Sequence, residues 1–97
     1  MHLYIIQSSN NGNFKIGRSK NPKKRLMQLQ TGSPYRLKLI LVLEEMGHLE
    51  KKVHNYIMSG NKRKCKGEWF DFELSSYIPL EIYEKIDLDV FNSWWSN

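Results

Sequence analysis

Cysteine is almost missing from the 97-residue chain, where Cys65 stands alone, so no disulfide can close within it and nothing demands an oxidising compartment. No run of about 18 consecutive apolar residues occurs, which excludes a membrane-spanning helix of the usual length. Residues Met1 to Asn11 include a short apolar run but no basic leader. These absences predict a soluble, unexported protein with no membrane partner, intracellular and either cytoplasmic or nucleoid-associated. Nor is there a Pro-, Gly- or Ser-rich stretch long enough to join two domains, so one compact unit is the expectation. A chain this short buries only about two thirds of its unfolded surface. Its 40% hydrophobic and 12% aromatic residues supply the single core that must carry most of the stability.

Acidic residues are scarce where basic ones abound. Residues 1–66 hold 14 of the 15 Lys and Arg but only Glu44, Glu45 and Glu50, a balance of +11, whereas residues 67–97 carry −6. A basic body of this kind invites a polyanionic partner, and nucleic acid is the commonest. His48, His54 and Cys65 lack the paired spacing of a structural zinc site, which removes that class.

Local patterns outline the elements. His2 to Gln7 and Asn13 to Arg18 flank Asn10-Asn11-Gly12 and predict a β-hairpin. Asn21-Pro22 predicts a helix start, since Asn caps free amides and Pro fits the first turn. Leu26 and Leu29 mark the buried face of that helix, and Gly32 with Pro34 ends it. Tyr35 to Leu43 reads as a third strand beside the hairpin and the longest of the sheet. In Gly47 to Ser59 the residues Leu49, Val53, Tyr56 and Ile57 recur at helical spacing, with Gly60 as a left-handed stop. Asn61 to Lys66 forms a basic loop, Glu68 to Phe72 a short aromatic strand or turn, and Leu80 to Phe91 one or two helices ending near Trp94 and Trp95.

The order of Leu3-Tyr4-Ile5, Lys15-Ile16-Gly17-Arg18, Asn21-Pro22 with Arg25-Leu26, Glu50, His54 and Gly67-Glu68-Trp69-Phe70 resembles the GIY-YIG nuclease superfamily. It is closest to the short phage and viral branch with a KIG second motif. The resemblance covers residues 2 to 70, with His2-Leu3-Tyr4 standing where Gly-Ile-Tyr would be. It implies an α/β (α+β) fold, a three-stranded antiparallel sheet flanked by helices and followed by a helical C-terminal tail. Residues 1–76 would form the nuclease domain, and the acidic, aromatic segment 77–97 would pack on it or mediate pairing. The activity implied is endonucleolytic hydrolysis of DNA phosphodiester bonds, dependent on a divalent metal, Mg²⁺ or Mn²⁺. By the same resemblance Tyr4 matches the first-motif tyrosine, Lys15 replaces the second-motif tyrosine, Arg18 is the basic residue after it, Arg25 the helical arginine and Glu50 the metal-holding carboxylate.

Residue chemistry is consistent with those roles. Phosphodiester cleavage needs an aimed water, charge stabilisation on the phosphate and help for the departing oxygen. Tyr4 is the expected general base, activated by the ammonium of Lys15 on the paired strand. Arg25 can grip two phosphate oxygens at once. Glu50 with several waters suits Mg²⁺. His54, four residues on and on the same helical face, orients the phosphate or shares the base role. Lys20, Lys23, Lys24, Arg36, Lys62, Arg63 and Lys64 are the expected contacts to the DNA backbone. A two-fold homodimer would let one small domain cut both strands. The rivals are a catalytically inactive DNA-binding module of the same fold and a protein-interaction factor acting through the tryptophan-bearing tail.

Overall fold

The computed structural model describes residues 1–59, 65–66 and 68–96, and its centre is a strand buried on both faces. This is β1 (His2–Ser8), in which Leu3 to Ser8 are all buried. It pairs antiparallel with β2 (Phe14–Ser19) on one side and with β3 (Leu37–Leu43) on the other. The β1–β2 turn follows from its residues: Asn11 (φ 67°) and Gly12 (φ 73°) both take positive φ, the backbone that Asn-Gly adopts most readily in tight hairpins. Gly12 has a second reason to lack a side chain. A Cβ there would lie 2.4 Å from the Trp95 ring.

Helix α1 (Pro22–Thr31) begins as its sequence dictates, with the Asn21 side chain accepting from the Lys24 amide at 3.1 Å and Pro22 in the first turn. Its exit is fastened by Gln30, which donates to the Tyr35 carbonyl and accepts from the Leu37 amide, each at 2.8 Å. After β3, a single 3-10 turn (Gly47–Leu49) leads into α2 (Glu50–Met58). The two helices cover opposite faces of the sheet. Tyr4, Ile6 and Leu37 pack with Leu26 and Leu29 of α1. Leu3, Ile5, Phe14 and Ile16 pack with Val53 and Ile57 of α2 on the other side.

The expected three-stranded sheet is an underestimate. Two short strands, β4 (Cys65–Lys66) and β5 (Trp69–Phe70), extend it to the order β3-β1-β2-β5-β4. The cause is the aromatic run after Gly67, because Phe70 and Trp69 pair with Phe14 and Lys15 and so continue the ladder beyond β2. Two smaller expectations also change. β3 is seven residues long, no longer than β1. Tyr56 does not join the buried face of α2 but is 60% exposed. Gly60, Asn61, Lys62, Arg63, Lys64 and Gly67 lie outside the described residues.

Past a 3-10 stretch (Phe72–Tyr77), two short helices, α3 (Leu80–Tyr83) and α4 (Leu88–Ser93), bring Ile78, Ile82, Ile86 and Phe91 into the α2-side core. Phe91 stands edge-on to Phe14 at 5.8 Å between ring centres, and Trp95 lies 4.9 Å from Phe72. No described helix is long and apolar enough to cross a membrane.

Candidate active site

The ladder between β2 and β5 runs only through Phe14 and Lys15, so the far end of β2, from Ile16 to Ser19, is left with an open edge between the two helices. A cleft of about 290 Å³ occupies this position, lined by Tyr4, Lys15, Ile16, Gly17, Arg18, Arg25, Glu50 and Glu68. Alternation along β2 explains why both faces of the sheet contribute. Lys15 and Gly17 lie on the α1 side with Tyr4 and Ile6, their ladder partners, whereas Arg18 lies opposite Leu3 on the α2 side. The cleft wraps the strand edge and gathers residues from both.

Tyr4 reaches this edge from the strand interior by crossing over Gly17, its cross-strand partner. A Cβ at position 17 would stand 2.3 Å from the tyrosine hydroxyl oxygen, so only glycine leaves the ring its path. Tyr4 is just 2% exposed. Burial pushes its hydroxyl above the usual tyrosine range, and the Arg25 guanidinium, which is hydrogen-bonded to it, offsets part of that rise. The cation facing Tyr4 is therefore Arg25. The expectation that Lys15 activates Tyr4 is corrected here, because Lys15, 4% exposed, directs its ammonium to the carboxylate of Glu68. That hydrogen bond and charge hold Glu68 below the ordinary carboxylate range.

Glu50, at the first turn of α2, faces the cleft from the other side. Its Oε2 lies 3.5 Å from Arg18 Nε and its Oε1 lies 3.7 Å from His54 Nε2. Neither contact is close enough to saturate the carboxylate. His54 itself does not line the cleft. Its Nε2 is hydrogen-bonded to the Ile16 carbonyl, so this nitrogen carries the proton, and its ring stands edge-on to Phe70 at 5.0 Å. This bond ties α2 to β2 beside Glu50. Among the described residues, no group of three or more His, Cys, Asp and Glu side chains converges for a metal.

Of the residues expected at the site, Tyr4, Lys15, Arg18, Arg25 and Glu50 are brought together, and His54 stands one layer behind. Lys20, Lys23, Lys24 and Arg36 are exposed, while Lys62, Arg63 and Lys64 fall outside the described residues. Glu68 is the member that residue-by-residue reading passes over as part of a structural aromatic turn. Its signal was its chemistry, an acid standing immediately after a strongly basic segment and before the aromatics that pair with β2.

The described residues form an antiparallel α+β domain whose sheet is flanked by helices, with a cleft at a strand edge that gathers Lys15, Arg18 and Arg25 with Glu50 and Glu68. A family model described as the T5orf172 domain matches residues 1–94, and the chain belongs to that family. No curated protein and no solved structure matches it.

Proposed function

We propose that the protein is a divalent-metal-dependent endonuclease of GIY-YIG type that hydrolyses DNA phosphodiester bonds in the cleft at the open edge of β2. The observation carrying this reading is the meeting of a buried tyrosine, an arginine bonded to it and a carboxylate from the opposite helix in one cleft. Arg25 binds the scissile phosphate and stabilises the charge gathering on its oxygens. Tyr4, held in line by Gly17 and Arg25, takes the proton of the attacking water at its hydroxyl oxygen when ionised. Lys15 and Arg18 add positive potential on either side of β2, and Glu68 fixes the Lys15 ammonium in place. Glu50 fits a single Mg²⁺ or Mn²⁺, since one carboxylate with open lone pairs and several waters is a normal arrangement for such ions. When bound, the ion supplies charge neutralisation at the leaving oxygen.

The direct test incubates the protein with supercoiled plasmid in Mg²⁺, in Mn²⁺ and in EDTA. Nicking is expected with either metal and none in EDTA. Arg25→Ala and Glu50→Ala should each slow nicking by about a hundredfold or more, the scale for losing one transition-state charge contact. Parental rates in both variants would reject the site. Salt-sensitive DNA binding with no cutting in any metal would leave a binding module instead.

The raised Tyr4 hydroxyl adds a pH signature. Because the base form is the minor one at neutral pH, the logarithm of the single-turnover rate is expected to rise with a slope near one from about pH 7 to pH 9. Tyr4→Phe should lower the rate and flatten the profile. A flat profile in the parent protein would transfer the base role to another group.

A further inference from the structure

A second pocket, of about 440 Å³, opens on the α1 side of the sheet and is not used by the chemistry described above. Asn10, Asn13, Gln28, Ser33, Tyr35 and Trp69 contribute its polar and aromatic walls. Among the described residues, no charged side chain lines it. It is therefore unsuited to a phosphate or a metal and suited to a neutral, flat, polar group. The pocket is joined to the cleft along two walls. On α1, Arg25 Nη1 lies 3.4 Å from Gln28 Oε1, and three residues correspond to about 4.5 Å of helix rise. On the sheet, Trp69 follows Glu68 and is the ladder partner of Lys15.

Trp69 is half-buried and packed against Tyr4, Ile6 and Leu37, which fixes its ring. Trp94 and Trp95 commit their indole N–H groups, at 2.6 Å to Gln7 Oε1 and 2.9 Å to the Phe91 carbonyl. The Trp69 indole N–H, by contrast, has no hydrogen-bond partner among the described residues. Carboxamides beside aromatic rings are the groups that read base edges and stack base faces.

We infer that this pocket receives an unstacked nucleobase of the strand whose phosphate is held by Arg25. The inference rests on the nuclease reading and narrows it: the substrate is single-stranded DNA, or duplex opened locally, because a paired and stacked base has neither edge nor face free to lie against the carboxamides and rings of this pocket. Phosphate recognition in the cleft and base recognition one helical turn away divide the nucleotide between two chemically distinct compartments.

The test uses a single-stranded DNA hexanucleotide and an abasic sugar-phosphate hexamer of equal charge, each titrated in EDTA so that no strand is cut. The hexanucleotide is expected to bind at least tenfold more tightly, and to move the Trp69 indole N–H resonance while those of Trp94 and Trp95 stay in place. Tyr35→Ala should weaken hexanucleotide binding about tenfold, in the range for one lost stacking contact, and leave the abasic affinity unchanged. Tyr35 is well placed for this because its carbonyl, and hence its loop, is held by Gln30 and Ser33 whatever its side chain. Equal affinity for both hexamers with a stationary Trp69 signal would overturn the inference and leave the nuclease reading standing. Failure to bind either hexamer, together with absent plasmid nicking, would remove both.

Discussion

Gly17→Ala is expected to reduce DNA nicking by about a thousandfold, more than the loss of any single charged group in the cleft. The backbone at Gly17 is ordinary extended strand, so conformational freedom is not the reason for glycine here. The reason is space. The added methyl would lie 2.3 Å from the Tyr4 hydroxyl oxygen and 2.4 Å from Cζ, well inside contact distance. Tyr4 cannot yield inward, because it is packed against Ile6, Leu26, Leu29 and Trp69. Either the ring swings out of the cleft or β1 and β2 part locally, and both separate Tyr4 from Arg25. Overpacking of this kind costs about 1–3 kcal/mol of stability. Losing a positioned base costs roughly a hundredfold to ten-thousandfold in rate. The two effects can be told apart by measuring single-turnover nicking and melting temperature together. In a Tyr4→Ala background, where the ring is gone, Gly17→Ala should cause little further loss of activity, as expected for residues acting as a pair. Parental nicking by the single Gly17→Ala variant would show that the Tyr4 path over β2 has no part in cleavage.

This pairing shows where the sequence is legible. Elements set by neighbours in the chain could be read directly: Asn11-Gly12 forces the hairpin turn, and Asn21-Pro22 starts α1 by a bond to an amide three residues away. Five of the expected site residues could likewise be placed, because their order along the chain is distinctive. What could not be read is who faces whom. Lys15 and Tyr4 are both inward residues of paired strands, and the sequence alone pairs them. The identity of each partner depends on elements far away in sequence, α1 for Tyr4 and β5 for Lys15. Glu68 lies 53 residues from Lys15, and nothing local announces their contact. Tyr56 fits the apolar period of α2 but points to solvent, since period alone does not say how wide the covered stripe is. The second pocket is equally nonlocal, assembled from the hairpin turn, the end of α1, the start of β3 and β5.

Gln7→Ala should produce the largest loss of stability, roughly 3 kcal/mol, without touching the cleft. Gln7 is wholly buried, and its amide is the bond between the hairpin and the C-terminal helix. Its Nε2 donates to the Gly12 and Phe91 carbonyls, both at 2.9 Å, and its Oε1 accepts from Trp94 Nε1. Truncation strands the Trp94 donor and the Gly12 acceptor, leaves the Phe91 carbonyl with its bond from Trp95, and opens a void, and each buried unsatisfied group costs about 1–3 kcal/mol. For a domain of this size the melting temperature should fall by about 15 °C. Gln7→Glu separates polarity from shape. Its carboxylate would face two carbonyl oxygens, so its folded-state pKa must rise above the unfolded value of about 4.3. A group raised in this way retains its stability below the unfolded pKa and loses it as pH climbs through the folded one. Gln7→Glu should therefore approach the parent in stability near pH 4 and fall towards Gln7→Ala near pH 7, whereas the alanine deficit should vary little with pH. Thermal melts of the three proteins at both pH values, each compared with the parent, decide the matter. A melting-temperature change below about 3 °C for Gln7→Ala would mean that Ile78, Ile82, Ile86 and Phe91 hold the last helices in place by apolar packing alone.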